Sequence, residues 1–258
     1  MRFWSLILDD ALDGADNMAI DANLLSEVEN SSEPTTIVRL YRWRRPTISL
    51  GRNQKISAAV DEAFCAEKGI DVVHRPTGGR AVLHDDELTY AVASNDSACF
   101  GDTIYANYKS VSEALCSGFN LLGVPAVLAP ETRKASADHS EMDLPCFISP
   151  SRYELMVEGR KIVGSAQRRL RRGFLQHGSM PILCDRDMLA RATRMTDSAV
   201  LYQEMAGLAE FLPKRPSVEE LINALLAGFQ QRFGIEFNPE SRLTRLSPDV
   251  IKIRHGAN

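Results

Sequence analysis

Ile104, Tyr108, Val111, Leu115, Phe119 and Leu122 recur at steps of three and four. That spacing places all six on one face of a helix over 103–122, and such a face must be covered by another layer. The surrounding sequence supplies one. Residues 36–43, 47–50, 70–74, 80–84 and 88–94 are short runs rich in β-branched and aromatic residues, and 125–128 and 173–183 read as further extended segments. A second helix is predicted over 16–28, with Met18, Ile20, Leu24, Leu25 and Val28 at mostly helical spacing, and a third over 58–68, closed by Gly69. Ser217 and Glu220 form a capping box ahead of Leu221, Leu225, Phe229 and Phe233 on one helical face. The segments 153–157 and 161–165 alternate around Glu158-Gly159, a hairpin signal. Strands dominate the middle and helices flank it. The expected fold class is therefore α/β (mixed α+β), a mixed sheet with helices packed on it. Residues 131–145 are polar without a usable period and read as a mobile loop. Residues 213–216 read as a simple loop inside one domain spanning 1–258.

Bulk properties narrow the function. With 258 residues, 44% hydrophobic and 25% charged, the chain can bury a sizeable core. A formal net charge of −4 gives no global basic field, which argues against nucleic acid as a partner. No apolar run approaches the roughly 20 residues of a membrane span. Met1 to Leu8 meets Asp9-Asp10 at once, so no signal-peptide core is read there, and a cytoplasmic location is expected. The five cysteines, Cys65, Cys99, Cys116, Cys146 and Cys184, are odd in number and contain no C-x-x-C pair. Neither a disulfide framework nor a metal site is expected; each thiol is a small buried hydrophobe or a reactive group.

Three segments carry residues that are costly for structure alone. In Arg75-Pro76-Thr77-Gly78-Gly79-Arg80, followed by Ala81-Val82-Leu83-His84-Asp85, two adjacent glycines allow close backbone approach to a ligand between two arginines. A Gly-Gly turn with solvated flanks satisfies the same letters. Lys161 opens the run Ile162-Val163-Gly164-Ser165-Ala166-Gln167, where a lysine can lie over a bound carbonyl or stand on the surface at a hairpin mouth. Cys146, in Pro145-Cys146-Phe147-Ile148-Ser149-Pro150, lies between prolines in constrained extended backbone, as a reactive or an inert buried thiol. Cys116, beside Leu115 in a helix, fits the inert class, as do Cys65 and Cys184 at element ends.

With Asp16-Asn17-Met18-Ala19-Ile20-Asp21, Ser49-Leu50-Gly51-Arg52-Asn53-Gln54 and Leu175-Gln176-His177-Gly178-Ser179, these segments resemble the lipoate–protein ligase and octanoyltransferase family. Within it, the resemblance is to the cysteine-dependent, LipM-like octanoyltransferase branch. It implies the biotin/lipoyl protein ligase fold, a larger mixed sheet with a small second sheet and flanking helices. It implies that Arg75, Thr77, Gly78, Gly79, Arg80 and His84, with Gly164, Ser165 and Ala166, line an acyl pocket. Lys161 meets the carbonyl end of the acyl group, and Cys146 carries that group as a thioester. The implied partners are octanoyl-acyl-carrier protein as donor and a lysine of a lipoyl-domain protein, such as glycine cleavage H protein, as acceptor. A thioester donor is already activated, so no cofactor is required. Ligases of the family commonly show Ser-Gly-Gly-Gly where this chain has Thr77-Gly78-Gly79-Arg80, which favours the transferase branch.

The competing readings are an ATP-dependent lipoate–protein ligase, a lipoyl amidotransferase and a non-catalytic carrier-binding protein. His84 and His177 are candidates for the base that the acceptor lysine needs. Two arginine clusters, Arg39, Arg42, Arg44 and Arg45, then Arg168, Arg169, Arg171 and Arg172, are candidate docking patches for acidic carriers. The chain beyond about residue 240 does not match the helical tail expected of the family.

Overall fold

A computed structural model describes residues 2–129 and 153–238. In chain order the first elements are β1 (Arg2–Leu8), α1 (Gly14–Asn30), β2 (Thr36–Tyr41), β3 (Thr47–Leu50), α2 (Ile56–Ala59) and α3 (Glu62–Lys68). There follow β4 (Asp71–His74), β5 (Val82–His84), β6 (Glu87–Ser94), α4 (Ser97–Phe100), α5 (Ile104–Leu122) and β7 (Val127–Leu128). After residue 152 come β8 (Leu155–Val157), β9 (Arg160–Lys161), β10 (Gly164–Arg169) and β11 (Phe174–Pro181). The last are α6 (Arg186–Ala192), α7 (Ala199–Glu204), a 3-10 turn at Leu208–Phe211, α8 (Val218–Phe233) and β12 (Ile235–Phe237).

The strands form a six-stranded sheet, β10-β11-β6-β2-β1-β12, and two three-stranded sheets, β4-β3-β5 and β7-β8-β9. The large sheet is mixed: β1 runs parallel to β2 and β12, while β6 is antiparallel to β2 and β11. Successive side chains of a strand point to opposite faces, and both faces here are apolar. Val38, Leu40, Val92 and Phe174 pack under α5 and α8 with Val111, Leu115, Phe119 and Phe229. Ile37, Tyr41, Ala91 and Leu175 pack under α1 with Met18, Leu24, Leu25 and Val28. The helices α5 and α8 meet through glycines: a Cβ on Gly228 would lie 2.5 Å from the Gly118 nitrogen. The small sheet β4-β3-β5 has its own core, Ile48 and Leu50 against Val60, Phe64 and Cys65.

Several expectations change. The helix read over 58–68 is two, α2 and α3, because the Asp61 carboxylate accepts from the Phe64 N–H at 3.0 Å and restarts the helix there. Gly69 closes it in the left-handed conformation at φ 65°. The hairpin forms, with Glu158 and Gly159 at φ 50° and 80°, but its return strand ends at Lys161. Ile162 and Val163 are both buried, which breaks the alternation, and Gly164 opens β10 in the large sheet. Lys161 and Gly164 thus belong to different sheets. Two small sheets accompany the large one rather than one. Residues 2–8 and 235–237, assigned no strand from sequence, pair in parallel at the edge of the large sheet. The loop read over 131–145, Cys146 and the tail beyond 240 lie outside the described residues. No helix among the described residues is long and apolar enough to cross a membrane.

Candidate active site

The α1 side of the large sheet and the small sheet β4-β3-β5 enclose a cleft with about 310 Å³ of empty space, its mouth included. That is the lower range of small-molecule sites. Of the residues singled out by sequence, Arg75, His84, Gly164, Ser165 and Ala166 line it. Small residues on β10 leave its wall low. Gly178, beside Ser165 on β11, keeps it so, since a Cβ there would lie 2.8 Å from Ser165 Oγ and 2.7 Å from the Tyr90 ring.

Arg75 is buried, not a solvated flank of a turn. Its guanidinium donates to the carbonyls of Ser49 (2.8 Å), Gly78 (2.8 Å) and Arg80 (2.7 Å), so it ties the Gly-Gly loop to β3. Gly51 lets that loop approach: a Cβ on it would lie 2.0 Å from the Gly79 oxygen. Gly78 and Gly79 are exposed and Arg80 half-buried, and it is Arg75 that reaches the cleft wall. Thr77 is fully buried, with its hydroxyl 2.7 Å from His177 Nε2.

Two buried histidines face the cleft. His177 Nδ1 lies 2.7 Å from Asp21 Oδ2, and His84 Nδ1 lies 2.9 Å from Glu87 Oε1. An ionised carboxylate only accepts, so both rings carry the proton on Nδ1 and accept on Nε2. His84 Nε2 is 2.8 Å from Ser49 Oγ. Asp21 also receives the Tyr41 hydroxyl at 2.8 Å and the guanidinium of Arg39 at 2.7 Å. Arg39 is fully buried, with Asp9 at 2.6 Å and Asn17 Oδ1 at 2.8 Å. Arg39 is therefore no docking residue: it neutralises carboxylates inside the fold. In the second cluster Arg168 donates to the Pro76 carbonyl at 3.2 Å, while Arg171 and Arg172 are exposed.

Burial is the largest influence on His177 and drives its pKa below the ordinary 6.5, with the hydrogen bond and charge of Asp21 only partly restoring it. Burial pushes Asp21 up, but the hydrogen bond from His177 and the charge of Arg39 outweigh it and hold the carboxyl below the ordinary 3.8. Both signs destabilise the fold in acid. A lowered imidazole means that the unfolded chain takes up a proton first, so stability declines as pH falls from about 6.5, by at most about 1.4 kcal/mol per pH unit. The Asp21 contribution is present above about 3.9 and is lost as pH falls through its folded value. The melting temperature should accordingly drop in two stages, and His177→Gln should flatten the first and also weaken the second, because Asp21 loses the hydrogen bond that lowers it most. An unchanged slope between neutral pH and the carboxylate range in His177→Gln would refute this assignment.

Lys161 is 2% exposed, so it is no surface lysine, and its ammonium meets Glu154 Oε1 at 2.5 Å. It does not itself line the cleft; Gly164, three residues on, does. The four described thiols are poor nucleophiles. Burial pushes Cys99 to about 11 and Cys184 to about 12, and it raises Cys65 and Cys116 too. Sequence reasoning missed Asp21, Arg39, Glu87, Ser49 and Trp43 as site residues. One signal was available: Asn17 and Asp21, four apart, are polar positions among the apolar residues of a helix.

Residues 13–230 match the lipoyl protein ligase A/B catalytic domain. The chain is 39% identical over 248 residues to an octanoyltransferase LipM from Carboxydothermus hydrogenoformans, covering 92% of this chain and 89% of that one. It resembles the crystal structure of a lipoate-protein ligase A bound with ATP, with a TM-score of 0.76 at 24% identity, over 98% of this chain and 94% of the other. A bi-partite lipoate protein ligase from Thermoplasma acidophilum, described with its E2 lipoyl domain, gives a TM-score of 0.76 at 22% identity over 98% and 92%.

Proposed function

The chain belongs to the lipoyl protein ligase A/B catalytic-domain family, and on that premise we propose that it is an octanoyltransferase of lipoate biosynthesis. It takes octanoyl from an acyl-carrier-protein thioester onto Cys146 and passes it to a lysine of a lipoyl domain. The observation that carries this reading is the 39% identity to an octanoyltransferase across 92% of the chain. The cleft between the two sheets supports it, being apolar on one side and lined by Gly164, Ser165 and Ala166 on another. An octanoyl chain in such a cleft gains up to ~0.8 kcal/mol per buried methylene.

The first step exchanges one thioester for another. The Cys146 sulfur bonds to the acyl carbon, the carrier's C–S bond breaks and its thiol leaves. This is nearly isoenergetic, so the protein must supply orientation and stabilise the oxyanion. Lys161 is the proposed charged donor, a buried ammonium held by Glu154 at 2.5 Å. The nucleophile must be a thiolate, and the raised pKa values of Cys65, Cys99, Cys116 and Cys184 leave Cys146 as the cysteine suited to the task. In the second step the amine of the acceptor attacks and a stable amide forms. A family relative described with its E2 lipoyl domain supports that class of acceptor. Free thiols at Cys65, Cys99, Cys116 and Cys184 suit a reducing compartment, the cytoplasm.

Intact-mass spectrometry after mixing with octanoyl-acyl-carrier protein, without nucleotide, tests the reading. One octanoyl adduct mapping to Cys146 is expected, lost on adding a lipoyl domain. Absence of that adduct, with amide product only when free acid and ATP are supplied, would identify a ligase instead.

A further inference from the structure

The two histidines of the cleft share a pattern, a carboxylate on Nδ1 and a hydroxyl on Nε2, but their carboxylates are differently committed. Asp21 is already paired with Arg39 at 2.7 Å, and the hydroxyl counterpart on His177, Thr77, is not among the residues lining the cleft, whereas Ser49 is. A proton arriving on His177 would have to share the Asp21 carboxylate with the Arg39 guanidinium. Glu87 instead meets the hydroxyls of Thr89 and Ser179 and the Nδ1 of His84. The Trp43 indole lies flat against the His84 ring, with centroids 4.0 Å apart and planes 17° apart. An aromatic face stabilises a cation placed on it. Trp43 is fixed in turn by its N–H on Thr89 Oγ1 at 2.7 Å. Ser49 and His84 both line the cleft, and Ser49 Oγ also receives Arg75 Nη1 at 3.3 Å. The serine hydroxyl therefore accepts from Arg75 and donates to His84, with a lone pair left for an incoming donor.

We propose that His84, acting through the Ser49 hydroxyl, is the general base for the amide-forming step, with Glu87 and Trp43 as positioning residues. This rests on the acyl-transfer reading above. An acceptor lysine arrives as an ammonium with a pKa near 10.4, and forming an amide removes two of its protons. Ser49 takes the one that frees the nitrogen lone pair and passes its own to His84 Nε2. The nitrogen bonds to the acyl carbon, the C–S bond breaks with its electron pair on sulfur, and the second proton goes to that sulfur. Amide, thiol and imidazolium are the products, and the imidazolium returns its proton to water. Three titratable or charged groups face this relay: Glu87 from β6, Arg75 from the loop after β4, and His177 from β11, which senses the charge of His84. Ser49 from β3 and Trp43 after β2 are uncharged.

The test separates the two half-reactions by rapid quench, using octanoyl-acyl-carrier protein to load the enzyme and a lipoyl domain to unload it. In His84→Gln, a change in the cleft wall that can slow loading as well, unloading should fall roughly a hundredfold further than loading does near neutral pH. The deficit should shrink as pH approaches the lysine value of about 10.4, where the acceptor deprotonates unaided. Ser49→Ala, which keeps both His84 and Glu87, should show the same split and the same recovery, and it answers the question should His84→Gln not fold. Equal loss of both steps at every pH would reduce His84 to a structural part and overturn the proposal. So would unimpaired unloading in both variants. A wild-type enzyme that never loads would overturn the acyl-transfer reading and this assignment together, whereas normal wild-type loading with normal unloading by the variants sinks the assignment alone.

Discussion

Cys146→Ala abolishes octanoyl transfer and the acyl-enzyme with it, while the protein keeps its cooperative melting transition. The expected loss is at least on the order of 10⁴-fold, the scale seen when a covalent nucleophile is removed from a site whose other groups cannot replace it. No described thiol stands ready to substitute. Cys184 is held at about 12 and Cys99 at about 11, so the thiolate fraction of either is negligible at neutral pH. Cys116 points its S–H at the Ala126 carbonyl at 3.2 Å beside the α5 core, and Cys116→Ala should retain most activity. Single-turnover transfer from octanoyl-acyl-carrier protein to a lipoyl domain measures both variants. Wild-type transfer by Cys146→Ala would mean that the acceptor lysine attacks the carrier thioester directly.

The same contrast shows where sequence is a good guide. Local signals were legible: the stripe of α5, the capping box of α8 and the Glu158-Gly159 turn each depend on residues within a few positions of one another. The pairing of β1 with β12 was not, since Arg2 meets Ile235 and no local pattern encodes a partner that distant. The site divides in the same way. Its walls were legible because Arg75, His84, Gly164, Ser165 and Ala166 lie in short, chemically unusual segments. The groups that set protonation were not. Asp21 reaches His177 across 156 positions, and Thr77 reaches it across 100. Arg39, read from sequence as one of four surface arginines, is buried because α1 delivers Asn17 and Asp21 on the face that covers β2. Charge in a linear sequence carries no sign of the depth at which it ends.

Lys161→Ala should cost both fold and rate, and the two costs are separable. Lys161 and Glu154 are each 2% exposed and in contact at 2.5 Å. Truncating the lysine strips a buried carboxylate of this counter-charge, a change that typically destabilises by about 3–5 kcal/mol. That exceeds by severalfold the effect of truncating a solvated lysine, which is usually within about 0.5 kcal/mol. Replacing both partners by apolar residues of similar volume is often neutral, because no buried charge is left behind. Lys161→Met combined with Glu154→Leu should therefore recover most of the lost melting temperature. It should not recover acylation. A donor aimed at a developing oxyanion contributes roughly a hundredfold or more in rate, and methionine has no N–H to offer. Single-turnover loading from octanoyl-acyl-carrier protein, followed beside thermal melting, reads the two effects independently. A double variant with restored stability and wild-type loading would make the Lys161–Glu154 pair a purely structural bridge between β9 and the start of β8. Restored stability with loading still depressed about a hundredfold would place the ammonium at the acyl carbonyl, since packing alone would then have been repaired without the chemistry.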